Sequence, residues 1–313
     1  MKRILVAGGS GNIGKTLCKR LLQKGYEVCV LSREYPTPSN ALNTEASGTN
    51  KILVAHWSPH KGIIDNHAIA WADAIINLAG AGIADKRWTK HRKQEIVRSR
   101  VACGSLLVKA LQETDNKVQC VVNASAIGWY GSDHGQEPFI EDLPAADDFL
   151  GAVCKQWEDS VQALSRLGKR LVILRTGIVL GRHGGAFQEF LKPLKMRVAA
   201  VLGNGKQLIS WIHEEDLCDM YIHAIEQPTL CGVYNAVAPK PVSNEYLMRR
   251  LAATLYRKGT ITIKIPRFVL RIVLGSVSEE LLKSCTVSAA KIKATGFRFQ
   301  FENIDAAITD LTR

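Results

Sequence analysis

The chain has 313 residues, 46% of them hydrophobic and 22% charged, with a formal net charge of +12. That length suits one large α/β domain or a domain with a smaller lobe, and the balance excludes a disordered or low-complexity protein. No apolar run approaches a membrane span, and the eight scattered cysteines contain no Cys-x-x-Cys pair, so no membrane span, disulfide scaffold or metal site is expected, and the chain is expected in the cytoplasm.

The opening Met1-Lys2-Arg3 followed by Ile4-Leu5-Val6-Ala7 has the order of a signal peptide, but its apolar run stops at Gly8-Gly9. Ile4–Ala7 reads instead as a buried parallel strand. Ile13, Leu17 and Leu21 then recur at helical spacing, with Gly25 as the stop. Between strand and helix lies Gly8-Gly9-Ser10-Gly11-Asn12-Ile13-Gly14. The spacing Gly8-x-x-Gly11-x-x-Gly14 allows a sharp turn, brings backbone N–H groups close to a pyrophosphate and packs the helix against the strand. Its plain alternative is a tight turn without a ligand. Gly8, Ser10, Gly11, Asn12, Ile13 and Gly14 are therefore candidate contacts of a nicotinamide dinucleotide.

Glu27–Leu31 reads as the second strand. An acidic residue at its end would bind the ribose 2′-hydroxyl of NAD, but the chain has Ser32-Arg33 there. Arg33 lies 19 positions beyond Gly14, and a guanidinium matches a 2′-phosphate bidentately, so NADP(H) is the expected cofactor. A solvated surface arginine is the alternative, and Glu34 beside it leaves room for NAD. Residues 36–49 read as a loop, Lys51–His56 as a third strand and Ala74–Gly80 as a fourth whose carboxyl end faces the cofactor. The basic run Lys86–Lys93 fits a solvated helix start better than a nucleic-acid site, because no nucleic-acid motif surrounds it.

Val121–Ser125 reads as a strand, Phe149–Leu167 as a helix and Leu171–Leu174 as another strand. Gly181–Gly185 is a loop, Phe187–Arg197 a helix and Val201–Gly205 a turn. A helix runs from Asp216 to Ile225, a further one from Ser243 to about Arg257, a strand from Ile261 to Ile265 and a last helix from Thr286 to Ala294. Phe297, Phe299 and Phe301 alternate and are expected to seal the C-terminal region onto the core. His213, just before the helix at Asp216, reads as structural rather than as a general base.

These motifs together resemble the extended short-chain dehydrogenase/reductase superfamily. The marks are Gly8-x-x-Gly11-x-x-Gly14, Asn77-Leu78-Ala79-Gly80, Ser125 at a strand end, Arg175-Thr176-Gly177 and Trp211-Ile212-His213-x-x-Asp216. Ser32-Arg33, Ala84-Asp85-Lys86-Arg87-Trp88, Trp129-Tyr130-Gly131 and Gly296-Phe297-x-Phe299 resemble its atypical 39U epimerase-family subgroup more closely. The resemblance implies an α/β Rossmann fold, a doubly wound parallel sheet with a smaller C-terminal substrate lobe. Residues 1–180 with about 209–238 would bind the cofactor, and about 181–208 with 239–313 would form the lobe. It also implies cofactor contacts at Ser32, Asn77, Leu78, Ala79, Gly80, Glu95, Arg100 and Val179. Glu95 and Arg100 read equally well as a surface helix pair.

Most superfamily enzymes carry a Tyr-x-x-x-Lys pair, and this chain has none. Leu150 and Cys154 stand where the pair would be, with Lys155 one position off and at best able to bind ribose. Ser125 and Tyr130 are the remaining catalytic candidates, with His134 and Trp129 nearby. Tyr130 reads equally as a packed loop residue. Arg182, Gln207 and Trp211 are candidates for the substrate wall, with packing and turn roles as the alternative. The expected function is an NADP(H)-dependent oxidoreductase or epimerase-like enzyme on an unknown small carbonyl or nucleotide-sugar-like molecule. The competing reading is a non-catalytic NADPH sensor or scaffold. A homodimer is open, and membrane and nucleic-acid partners are not expected.

Overall fold

The computed structural model describes residues 2–35, 51–135, 137–256 and 258–313. The loop expected over 36–49 lies outside them. Strand β1 (Arg3–Ala7) leads through α1 (Asn12–Gln23) to β2 (Glu27–Ser32). Next come β3 (Ile52–Ser58), β4 (Ile63–Ile64), α2 (Asn66–Trp71) and β5 (Ala74–Asn77). The long α3 (Lys90–Glu113) crosses to β6 (Cys120–Ala126), and α4 (Phe149–Asp159) with α5 (Ala163–Arg166) crosses to β7 (Arg170–Thr176).

The chain then leaves the sheet through β8 (Ile178–Gly181), β9 (Gly184–Gly185), α6 (Ala186–Leu194), β10 (Val198–Leu202) and β11 (Leu208–Ile209). It returns through β12 (Trp211–His213), α7 (Glu214–Glu226) and β13 (Gly232–Ala236). The C-terminal part holds β14 (Val242–Ser243), α8 (Asn244–Tyr256), β15 (Ile261–Ile265), α9 (Arg267–Leu274), α10 (Val277–Leu281), α11 (Ala290–Ala294) and α12 (Ile304–Leu311).

Eight strands form the central sheet in the order β13-β7-β6-β5-β1-β2-β3-β4, and every pairing except β3 with β4 is parallel. This is the expected doubly wound Rossmann arrangement. Strand alternation sorts the apolar residues to its two faces. Ile4 and Val6 pack with Leu17 and Leu21 of α1 and Leu217 and Tyr221 of α7, whereas Leu5 and Ala7 pack with Ile69 of α2 and Leu107 of α3. Both faces are covered, so the strands read as unbroken apolar runs. Strand order reverses between β1 and β5, which opens a crevice at their carboxyl ends.

A third core gathers Phe187, Leu194, Val201, Trp211, Leu247, Leu251 and Ile308. Val287, Ile292 and Phe297, near the C-terminus, instead join the core of the large sheet. The phenylalanine stripe therefore straddles both cores, since Phe301 stacks on His213 at 3.9 Å and packs on the third cluster. The helix expected from Phe149 breaks after Asp159, where the Ser160 hydroxyl turns back to the Trp157 carbonyl at 2.6 Å. Thr286–Ser288 is not helical, because the Thr286 N–H donates to Asp133 at 2.7 Å and the Ser288 N–H to the Phe139 carbonyl at 2.9 Å. Strands β4 and β8 to β14 and helices α2, α9, α10 and α12 add to the elements expected from the sequence; α6 ends at Leu194, short of the expected Arg197, and β10 takes Val201 and Leu202 from the expected turn. No helix among the described residues is long and apolar enough to cross a membrane.

Candidate functional site

The turn out of β1 follows from steric necessity. Gly8 has φ +82°, and a Cβ on it would lie 2.9 Å from the carbonyl carbon of Leu78. A Cβ on Gly14 would lie 2.3 Å from the Gly8 carbonyl oxygen, so glycine is what lets α1 start this close to β1. The Gly11 N–H closes the turn on that same oxygen at 3.1 Å. Helix α1 opens on Gly11 with no side-chain cap and no acidic residue in its first turn. Helices α3 and α4, by contrast, are capped by Thr89 and Asp148. The first amides of α1 and the positive end of its dipole thus remain open to an anion. Ser10, Gly11 and Asn12 are exposed around that end, Ile13 is half-buried against the core, and Asn12 abuts Gly184 of the β8–β9 hairpin.

At the end of β2 the Ser32 hydroxyl accepts the Glu34 N–H at 3.0 Å and shapes the turn that carries the exposed Arg33. At the end of β5 Asn77 is fully buried. Its amide donates to Asn123 at 2.7 Å and its carbonyl accepts the Ala79 N–H at 3.2 Å. Asn77 therefore shapes the segment Leu78-Ala79-Gly80 from beneath, through its bond to the Ala79 N–H. Gly80 lies under Arg100, whose Cγ would stand 3.0 Å from a Cβ there.

Arg100 is buried, and burial lowers its pKa. Its guanidinium donates to the Ile96 carbonyl at 3.0 Å and lies 4.9 Å from the Trp157 ring centre, and no carboxylate pairs with it among the described residues. A buried cation without an acid fits a site for an anionic ligand. Glu95 is occupied differently. It pairs with Arg92 at 2.7 Å, and that bond holds its carboxyl below the usual range. Arg92, buried, also donates to the Gly82 carbonyl and to Asp85, so the pair pins the 81–89 loop. Val179 in β8 is half-buried on the core just past the end of β7.

The carboxyl ends of β6 and β7 carry a closed polar network. The Ser125 hydroxyl donates to Glu158 at 2.6 Å, and Arg175 grips both Glu158 oxygens at 2.9 and 3.0 Å. Arg175 also donates to the Tyr130 hydroxyl at 3.1 Å and to the Glu141 carbonyl at 2.9 Å. Tyr130 donates to Asn235 at 2.7 Å, and the Asn235 N–H donates to the Glu141 carboxylate at 2.8 Å. The Trp129 ring covers the Arg175 guanidinium at 3.7 Å.

Ser125 and Tyr130 are each only 3% exposed, and burial pushes the Tyr130 phenol up to about 12 even against the nearby Arg175. Both hydroxyls, the expected catalytic candidates, are hydrogen-bonded inside the protein, Ser125 to Glu158 and Tyr130 to Asn235. Burial likewise pushes Cys154 up to about 12, which disfavours its thiolate, and Lys155 pairs with Asp159 at 2.6 Å on the surface.

The substrate-wall candidates each have partners within the protein. Arg182 holds Asp310 at 3.0 Å, Gln207 donates to the Leu202 carbonyl at 3.0 Å, and Trp211 is fully buried with its N–H on the Lys240 carbonyl at 2.9 Å. His213 caps α7 by accepting the Glu215 N–H at 3.2 Å. Among the described residues no group of three or more His, Cys, Asp or Glu gathers to hold a metal. Sequence reasoning missed Arg92, Glu141 and Asn235. Arg175 carried a visible signal, a charge directly after the apolar run Leu171–Leu174, whereas Glu158 stands among Lys155, Gln156 and Asp159 and did not.

The model of the NAD dependent epimerase/dehydratase family matches residues 4–236. The chain belongs to that family. Residues 265–311 match a domain of unknown function, DUF1731. The chain is 33% identical over 313 residues to the epimerase family protein SSP1921 of Staphylococcus saprophyticus, covering 99% of each. Human epimerase family protein SDR39U1 (isoform 2), crystallised with NADPH, superposes with a TM-score of 0.85 at 30% identity over 99% of each chain. A nucleoside-diphosphate sugar epimerase from Corynebacterium glutamicum superposes at 0.77 and 29% identity, over 99% of this chain and 58% of that one. The chain therefore has the NAD(P)-binding fold of the epimerase family, with its likeness to the 39U subgroup.

Proposed function

We propose that this protein is a cytoplasmic NADP(H)-dependent oxidoreductase or epimerase-like enzyme acting on a small carbonyl or nucleotide-sugar-like substrate. The observation that carries the reading is the uncapped, glycine-walled start of α1, supported by Arg33 at the end of β2 and by the NADPH in the human relative's crystal structure. Gly8, Ser10, Gly11, Asn12, Ile13 and Gly14 would hold the pyrophosphate. Ser32 and Arg33 would select the 2′-phosphate, Leu78, Ala79 and Gly80 would line the adenosine side, Arg100 would supply a buried positive charge, and Val179 would border the nicotinamide. When bound, the nicotinamide supplies or accepts a hydride. The network from Ser125 to Asn235 ties the ends of β6 and β7 together, and within it Ser125 would polarise the substrate carbonyl and Tyr130 would supply the accompanying proton once substrate displaces their internal partners.

A second reading, a non-catalytic NADPH sensor or scaffold, is favoured by one observation: the hydroxyls of Ser125 and Tyr130 are both consumed internally. NADPH tritiated at the nicotinamide C4 position, incubated with the protein and a metabolite extract, separates the two. Label appearing in a small molecule supports the enzyme. Tight NADPH binding with no label transfer leaves the sensor.

A further inference from the structure

A run of exposed apolar side chains occupies β15 and α9. Ile261 and Ile263 stand two residues apart, on one face of β15, and are 67% and 47% exposed. Phe268 and Ile272 stand four residues apart, on one face of α9, and are 67% and 69% exposed. Leu270, on the other side of α9, is buried. The strand leads into the helix through Pro266 alone. Met196 stands close by and is also exposed, because the Ile261 N–H donates to the carbonyl of its neighbour Arg197 at 3.0 Å. A helix with apolar side chains on both sides needs a partner on both. Apolar side chains gathered in this way, rather than scattered singly, mark an interaction surface.

The surrounding charges select the partner. From Tyr246 to Ser278 the sequence has seven arginines and lysines and no acid. Arg249, Arg250 and Lys264 are held by Glu245 and Asp305. Lys195, Arg197, Lys258, Arg267 and Arg271 are exposed, and among the described residues no carboxylate lies within 4.0 Å of them. Arg267 and Arg271, also four residues apart, flank the apolar face of α9. A second copy docked here about a two-fold axis would set these cations against themselves. A nucleic acid would use the cations but leave the isoleucines without an apolar partner. The headgroup layer of an anionic bilayer suits both, with phosphates for the cations and the acyl boundary for the apolar side chains.

We infer that the β15–α9 face docks the protein on an anionic lipid membrane. Phe268 and Ile272 enter the boundary between headgroups and acyl chains, and Arg267 and Arg271 meet the phosphates. The sequence has no spanning run, and a surface contact needs none. Docking also reaches the cofactor domain. Arg87, in the loop before α3, donates to the Ile272 and Val273 carbonyls at the end of α9. A bilayer that takes α9 therefore bears on the loop 81–89.

Flotation of the full chain with two kinds of vesicle tests the inference: phosphatidylcholine alone, and phosphatidylcholine with roughly one-third phosphatidylserine. Binding to the anionic vesicles should exceed binding to the neutral ones roughly tenfold and should fall as salt rises. F268S/I272S and R267E/R271E should each weaken it roughly tenfold. All four side chains are exposed, so both variants should keep the wild-type NADPH affinity, which identifies them as folded. Failure to bind the anionic vesicles, or equal binding to the neutral ones, overturns the inference. Full binding by either variant does so too, since it would reduce the contact to the general attraction of a chain of charge +12. Poly(U) bound as tightly as the vesicles and weakened equally by F268S/I272S would assign the face to nucleic acid instead. A dimer in sedimentation that F268S/I272S dissolves would assign it to a second copy, and either result overturns the membrane reading.

Discussion

Two stretches of the same sheet edge treat their polar groups in opposite ways. Beyond β1 the first amides of α1 are uncapped, Ser10 and Asn12 are exposed, and the nearby buried Arg100 has no acid among the described residues. Beyond β6 and β7 Ser125, Tyr130, Glu158 and Arg175 satisfy one another in the dry interior. Open donors at a helix start are waiting for a ligand, whereas a closed network supplies rigidity. The difference teaches that the cofactor half of this fold and the acid–base half are separable: the first is built as in a dinucleotide-binding protein, and the second is built as core.

The comparison breaks most severely if Arg175 proves dispensable. Arg175→Met leaves the buried Glu158 without its arginine partner, held by the Ser125 hydroxyl alone, and should cost about 3–5 kcal/mol in denaturant unfolding. A loss below about 1 kcal/mol would show that the network is not the structural unit described. On the open side, Arg33→Asp should weaken NADPH by about 10- to 100-fold while leaving NADH nearly unchanged. Equal losses for both nucleotides, measured by direct titration, would show that Arg33 does not meet the 2′-phosphate.

His213 is an intermediate case. Its Nδ1 caps α7, while its Nε2 stands 3.4 Å from Asp310 without a hydrogen bond. Burial lowers its pKa to about 4, so the fold holds it neutral and its contribution is fully present above the unfolded value near 6.5. That contribution is lost as pH falls from about 6.5 towards about 4. Burial raises Asp216 to about 6, which favours the fold at the acid side and works in the opposite direction. His213→Asn keeps a capping side chain and removes the titration, and Asp216 is common to both proteins. Between pH 7 and pH 5 the wild type should lose about 2 kcal/mol more than this variant; parallel pH profiles would refute the assignment.

The smallest effect sharpens the closed side. Tyr130→Phe removes the bonds to Asn235 and Arg175 and should cost about 1–2 kcal/mol of stability with no change in NADPH affinity. If it abolishes tritium transfer at unchanged stability, Tyr130 has a catalytic role after all.

Much of the fold was legible because its signals are local. The strand β1, the glycine turn and α1 follow from Ile4–Ala7, the spacing of Gly8, Gly11 and Gly14, and the period of Ile13, Leu17 and Leu21. Elements held by distant partners were harder to read. Thr286 and Ser288 look helical beside Ala289–Ala294, but Asp133 and Phe139 draw them into extended backbone. Val198–Leu202 forms a strand only because Ile261–Ile265 pairs with it in parallel. The candidate site divides in the same way. Its glycines were readable, whereas the partners that Asn77, Ser125 and Glu95 take, Asn123, Glu158 and Arg92, come from segments the sequence does not place beside them or from bonds it does not show.

The sequence alone determined that a buried strand meets a glycine turn and a helix, because backbone sterics and short-range periodicity act within a few residues. It also determined that the chain lacks the Tyr–Lys pair. Only the tertiary structure decided which polar side chains remain available. Tyr130 and Asn235 are 105 positions apart, and a buried hydroxyl takes whatever partner the fold brings to it. The dinucleotide groove was therefore visible in the order of residues, and the closing of the hydroxyls beside it was visible only in three dimensions.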